Sequence, residues 1–177
     1  MIKNNQKGIT LVVLVITIIV LLILAGITVY TGKGSIKEAK LEALNTNMLL
    51  IQTKAREYVE NASFDLGVDP NNATAEMKEK AQNELSGADK GRLVSEDDSI
   101  KDELVDIGIS LDDIKNGKVY ILETENLKNM GINDVESNAT EGWYVIVYNI
   151  EDTSAEIYNT MGYNGKYSLT ELEQIET

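Results

Sequence analysis

Three pairs of adjacent carboxylates, Asp97-Asp98, Asp112-Asp113 and Glu151-Asp152, are the densest chemistry in this sequence. Oxygen-rich stretches with Asn nearby suit Ca²⁺, a hard cation that takes oxygen ligands. None of the three has the spacing of a helix–loop–helix calcium site, and acidic loops are ordinarily just solvated. No metal and no cofactor is therefore expected. Asn61-Ala-Ser, Asn72-Ala-Thr and Asn138-Ala-Thr fit the acceptor pattern for N-linked sugars, but such triplets arise readily by chance in an Asn-rich chain. There is no His and no Cys. That removes the commonest general base, and with it any thiol nucleophile, thiolate metal site or disulfide. The eight Tyr and single Trp fall mostly in strand-like stretches, where core packing explains them better than a stacking surface. No nucleophile stands beside a base, so no catalytic residues are assigned and an enzyme is not expected.

The 177 residues carry a formal net charge of −13. A body this acidic repels nucleic-acid phosphates and anionic lipid heads within a Debye length, so nucleic-acid binding is not expected. The charge is unevenly spread. Ile9 to Tyr30, ITLVVLVITIIVLLILAGITVY, has none, and none occurs anywhere between Lys7 and Lys33. As a helix this run is about 33 Å long, enough for a bilayer core of about 30 Å. Its Ile, Val and Thr are mediocre helix formers in water. In lipid, a lone spanning segment must be helical to satisfy its own amides. Lys3, Lys7 and the initiator amine precede the run and place the N-terminus on the cytoplasmic side, with the remainder extracytoplasmic. Lys33, Lys37 and Lys40 follow it and weaken the asymmetry.

A second helical stretch begins at Ser35, with Glu38 at capping-box spacing. Leu41, Leu44, Met48, Ile51, Ala55, Tyr58, Val59 and Ala62 share one apolar face at helical period, while Leu49 and Leu50 lie off it. Beyond Ser63 the pattern shortens. Residues 65–72 and 86–99 read as loops, Ala73 to Leu85 as a helix, Ile100 to Ile107 as a short helix ended by Gly108, and Leu111 to Lys115 as a further turn. Lys118 to Leu122 reads as a strand and Glu125 to Met130 as a helix closed by Gly131. Trp143 to Tyr148 is apolar on both faces, the mark of a central strand. Ser154 to Thr160 is the next strand, and Asn164-Gly165 sits in the turn of a hairpin. Ser168 then caps a last helix, with Glu171 completing a capping box. These strands and helices argue for an α+β head.

The first residues specify the kind of chain. MIKNNQKG is short, polar and basic, and the only plausible cut lies before the apolar run, between Gly8 and Ile9. This arrangement resembles the class III leader of type IV prepilins and pseudopilins, in which a basic leader ending in Gly precedes an apolar residue, Thr, Leu and a long hydrophobic helix. Lys7, Gly8, Ile9, Thr10 and Leu11 match that pattern. Ile9 stands where the family often has Phe, and Val13, fifth after the cut, where it usually has Glu.

The resemblance implies cleavage and N-methylation at Gly8/Ile9 by a prepilin peptidase/methyltransferase. It also implies assembly, through the hydrophobic helix, with other pilin-like subunits into a type IV pilus or type II secretion-like filament. Thr10, Thr17 and Thr28 fall within about 20° of one another on that helix, a hydroxyl stripe that reads equally as a helix–helix contact face or as three hydroxyls each bonding back to the carbonyl a turn earlier. In the family, the glutamate that Val13 replaces is thought to neutralise the methylated amine of a neighbouring subunit. The expected organisation is a leader over 1–8, a transmembrane and assembly helix over 9–32, an amphipathic helix over 33–62 and a head over 63–177. The expected architecture is α+β, with the long N-terminal helix packed on short helices and a C-terminal antiparallel meander. The competing reading is a single-pass, membrane-anchored binding protein whose signal anchor is never cut.

Overall fold

The computed structural model describes residues 37–85, 87 and 89–175. The chain divides into two compact units, Met1–Ala43 and Leu44–Thr177. Of the first, the described residues 37–43 are helical. Among the described residues no helix is long and apolar enough to cross a membrane; the Ile9 to Tyr30 run lies outside them.

The second unit is α+β. Its first element is the helix over 44–65, here α1, which continues past Ala62 through Ser63 and Phe64. The expected stripe is in large part its buried face: Met48, Ile51, Ala55 and Val59 are all 0% exposed and Ala62 is buried beside them, whereas Leu44 and Tyr58 are only half-buried. Leu49 and Leu50, one step around the helix, are half exposed.

A single 3-10 turn, Pro70–Asn72, leads to α2 (Ala75–Glu84), capped by the Thr74 hydroxyl, which accepts from the Met77 N–H. Then come β1 (Arg92–Leu93), α3 (Lys101–Asp106), α4 (Leu111–Lys115), β2 (Val119–Leu122), α5 (Thr124–Asn129), β3 (Tyr144–Asn149), β4 (Ser154–Tyr163), β5 (Lys166–Ser168) and α6 (Leu169–Glu173). The five strands make one antiparallel sheet in chain order, a complete meander. β1 departs from expectation, since it lies inside the stretch 86–99 read as a loop.

Register explains why the Trp143 to Tyr148 stretch is apolar on both sides. Tyr120 opposes Ile146, which opposes Ile157; Leu122 opposes Tyr144, which opposes Asn159. All of these are buried. On their side of the sheet, α1 is tied down by Asn47 Nδ2 donating to Tyr144 Oη (3.5 Å) and Gln52 Nε2 donating to the Ala155 carbonyl (3.1 Å). The alternate residues Val119, Ile121, Val145 and Tyr158 form a second core with Leu104, Ile107, Ile109 and Ile114 from α3, α4 and their connection. A strand covered on both faces has no solvent side to leave polar.

The expected terminal devices are present. Asn164 (φ 51°) and Gly165 (φ 74°) form the left-handed turn between β4 and β5. The Ser168 hydroxyl accepts from the Glu171 N–H (3.2 Å), while the Glu171 carboxylate accepts from the N–H groups of Tyr167 and Ser168. Those backbone donors, with Lys166 adding its charge, hold the Glu171 carboxyl below its ordinary range.

The phenols predict the alkaline limit of the fold. Burial, followed by the charge and hydrogen bond of Asp89, pushes the Tyr58 phenol up to about 12. Burial likewise raises Tyr144, Tyr148 and Tyr158. A phenol that ionises later in the folded than in the unfolded chain contributes its stability in full below the unfolded value near 10, and loses it as pH rises through the folded value. The head is therefore expected to hold to about pH 10 and then unfold cooperatively. Tyrosinate absorbance and loss of circular dichroism should rise together. Ionisation of most phenols well before the dichroism falls would contradict the burial.

Candidate functional site

The residues that the sequence singles out for processing and assembly, Lys7, Gly8, Ile9, Thr10, Leu11, Val13, Thr17 and Thr28, lie outside the described residues. The acidic pairs do not converge. Asp98 pairs with Arg92 and also accepts from the Ile100 N–H ahead of α3; the Arg92 hydrogen bond is the main cause holding its carboxyl below the ordinary range. Asp112 and Asp113 occupy the first turn of α4, where negative charge favours a helix start. Asp152 accepts from Asn149 Nδ2 (2.7 Å) in the turn between β3 and β4. Among the described residues no three acidic side chains are grouped to hold a metal ion.

The three Asn triplets also lie apart, on α1, at the end of the 3-10 turn and in the loop before β3. In that loop the Asn138 carbonyl oxygen accepts from the N–H groups of Thr140 (2.8 Å) and Glu141 (3.0 Å). The side chain is thus closing its own turn, the ordinary use of Asn at such a place.

Two sites of polar organisation could not be read from spacing. Ser137, 2% exposed, donates to the Leu122 carbonyl and accepts from the Tyr144 N–H (2.9 Å), stitching the loop before β3 to β2. Asn159, 1% exposed, accepts from the N–H groups of Met161 and Gly162 at 3.0 Å each. Its carbonyl oxygen thereby serves the two backbone donors freed where the β4–β5 register shifts between Tyr158 and Tyr163.

One concavity of the head is an open groove of about 550 Å³. α2 gives one wall, the end of α4 and the start of β2 a second, and the β3–β4 turn a third. Gln82 Nε2 donates across it to the Gly117 carbonyl (3.0 Å), and the Tyr120 hydroxyl donates to the Gln82 carbonyl (3.5 Å), so the α2 wall is anchored to the sheet. Lys78 pairs with Glu151 at 2.7 Å. That hydrogen bond, then the charges of Lys78 and Lys118, hold the Glu151 carboxyl below its ordinary range. Lys118 lies 4.0 Å from Asp113, and Lys115 makes no ion pair among the described residues.

No protein-family model, no curated protein and no solved structure matches this chain.

Proposed function

We propose that this chain is a structural, non-catalytic subunit of a type IV pilus or type II secretion-like filament, cut between Gly8 and Ile9 and assembled through its hydrophobic helix. The observation that carries the reading is the junction itself: Lys7-Gly8-Ile9-Thr10-Leu11 opening a charge-free run that ends at Gly32. A cut on the N-terminal side of that run leaves the apolar helix on the mature chain, where lipid and then neighbouring helices can cover it. Two further features support the reading. The helix over 44–65 supplies a buried stripe to the head, and the head is an α+β unit with an antiparallel meander, as the resemblance implies. The membrane, a prepilin peptidase/methyltransferase and further pilin-like subunits are its proposed partners, and the cell surface its proposed location.

Val13 favours a second reading. With no carboxylate at that place, an incoming methylated amine has no side-chain counter-ion in an apolar interior, where an unpaired charge is costly. A single-pass anchored binding protein needs no such partner.

Intact-mass measurement of the membrane and sheared surface fractions separates the two. A chain beginning at N-methylated Ile9 is expected, and Gly8→Phe should leave the chain uncut and membrane-resident. An intact leader on the unaltered chain establishes the anchor reading instead, and maturation of Gly8→Phe to Ile9 at normal yield removes this cleavage site.

A further inference from the structure

We infer that Asn164 is a site of spontaneous covalent modification, converting through a cyclic imide to aspartate and isoaspartate at the tip of the β4–β5 hairpin. The inference is independent of filament assembly.

The chain has two Asn-Gly pairs, Asn116-Gly117 and Asn164-Gly165. In such a pair the backbone nitrogen of the glycine can attack the side-chain Cγ of the asparagine, because no Cβ on the glycine stands in the way. A nitrogen–carbon bond forms, and the Nδ2 group leaves as ammonia, its third proton replacing the one that base removed from the glycine amide. Water then opens the imide. Cleavage at the side-chain carbonyl gives ordinary aspartate, and cleavage at the main-chain carbonyl routes the backbone through the side chain as isoaspartate. Either way an amide becomes a carboxylate, with water consumed and ammonia released.

The fold separates the two pairs. At Asn116 the reacting peptide is fixed on every side. The N–H groups of Asn116, Gly117 and Lys118 donate to the carbonyls of Asp112 (2.9 Å), Ile114 (3.1 Å) and Asp113 (2.9 Å), and the Gly117 carbonyl accepts from Gln82 Nε2 (3.0 Å). The attacking nitrogen thus has its proton held, and β2, buried throughout, starts directly afterwards at Val119. Asn164 is under no such restraint. It and Gly165 are exposed, and neither the Asn164 carboxamide nor the Gly165 N–H makes a hydrogen bond among the described residues. Asn164 also lies in the left-handed region, at φ 51°, where a side chain is disfavoured. Attack requires rotation of the Asn164–Gly165 peptide, which the closed hairpin resists. That closure rests on a single pair, Tyr163 with Lys166, before the register shifts; the next pair is Tyr158 with Ser168. The amides of Met161 and Gly162 between them bond to Asn159. Opening such a tip is a local event that leaves the rest of the sheet in place.

The two products differ in effect. Asp-Gly suits a two-residue hairpin turn as Asn-Gly does, so the aspartate form keeps the hairpin. Isoaspartate adds a methylene to the backbone, so Tyr163 no longer meets Lys166, and β5 with its Ser168 cap loses register.

The test is to age the full-length chain, in nonionic detergent and mildly alkaline buffer, and to map its peptides by mass spectrometry, with isoaspartate counted by enzymatic methyl transfer. Asn164 is expected to convert at least about tenfold faster than Asn116 in the folded chain, and the two rates to converge in urea, where the hydrogen bonds at Asn116 are gone. Equal rates in the folded chain, faster conversion at Asn116, or no conversion at Asn164 while a free Tyr-Asn-Gly-Lys peptide converts would each overturn the site. A rate difference that persists in urea would overturn the structural account of it. Hydrogen exchange reads the consequence. The β5 amides should lose protection in the isoaspartyl fraction and keep it in Asn164→Asp; unchanged protection in the isoaspartyl fraction would overturn the proposed loss of register. Filament yield is not among the readouts, so failure here leaves the assembly reading untouched.

Discussion

Replacing Ile51 with Asp is expected to unfold the head. Ile51 is 0% exposed at the centre of the buried stripe of α1, between Met48 and Ala55, which are equally buried. The substitution removes a branched apolar side chain and puts a carboxylate where the neighbouring stripe residues are apolar. Lost transfer energy, a cavity and an unpaired buried charge act in the same direction. Their sum exceeds about 4 kcal/mol, a large part of the roughly 5–15 kcal/mol that holds a domain together. Leu50→Asp is the control one residue away. Leu50 is 50% exposed and lies about 100° around the helix, so a charge there stays in water. It should cost no more than about 0.5 kcal/mol. Thermal melts followed by circular dichroism distinguish the two. Similar melting temperatures for both variants would mean that this helix does not seat the head.

Gly162→Ala is expected to cost at least about 3 kcal/mol, through backbone strain and steric conflict together. Gly162 has φ 56°, and a Cβ built there would lie 2.2 Å from the Lys166 carbonyl oxygen and 2.6 Å from the Tyr167 ring. A backbone oxygen cannot swing aside as a flexible side chain would. β5 must then move away from β4, and with it the Ser168 cap that starts α6. Gly165 is the matched comparison. It too is left-handed, at φ 74°, but a Cβ there meets nothing within 4 Å. Gly165→Ala should therefore show only the conformational penalty, on the order of 1–2 kcal/mol. Hydrogen exchange at the β4–β5 amides measures the difference directly. Equal protection in the two variants would refute the steric account.

These two comparisons mark out what the sequence by itself determined and what it did not. The stripe from Leu44 to Ala62 was legible because a helix places residues three and four apart on one face, whatever the rest of the chain does. The Ser168–Glu171 box and the Asn164-Gly165 turn were legible for the same reason, since both are closed by groups within a few residues of one another. β1 was not. Arg92 and Leu93 are both exposed and sit in a polar stretch, and only their pairing with Ile121 and Tyr120, some thirty residues on, makes them a strand. The end of β4 was hidden likewise. It runs to Tyr163 rather than Thr160 because the buried Asn159 carboxamide satisfies the amides of Met161 and Gly162, a role that no Asn in a sequence declares. The groove depended most on tertiary structure. Only the meander sets α2, the end of α4 and the β3–β4 turn around one concavity. Periodicity and caps are local interactions and can be read in order; a sheet edge, a buried carboxamide and a cleft are made by residues that become neighbours only after loops close.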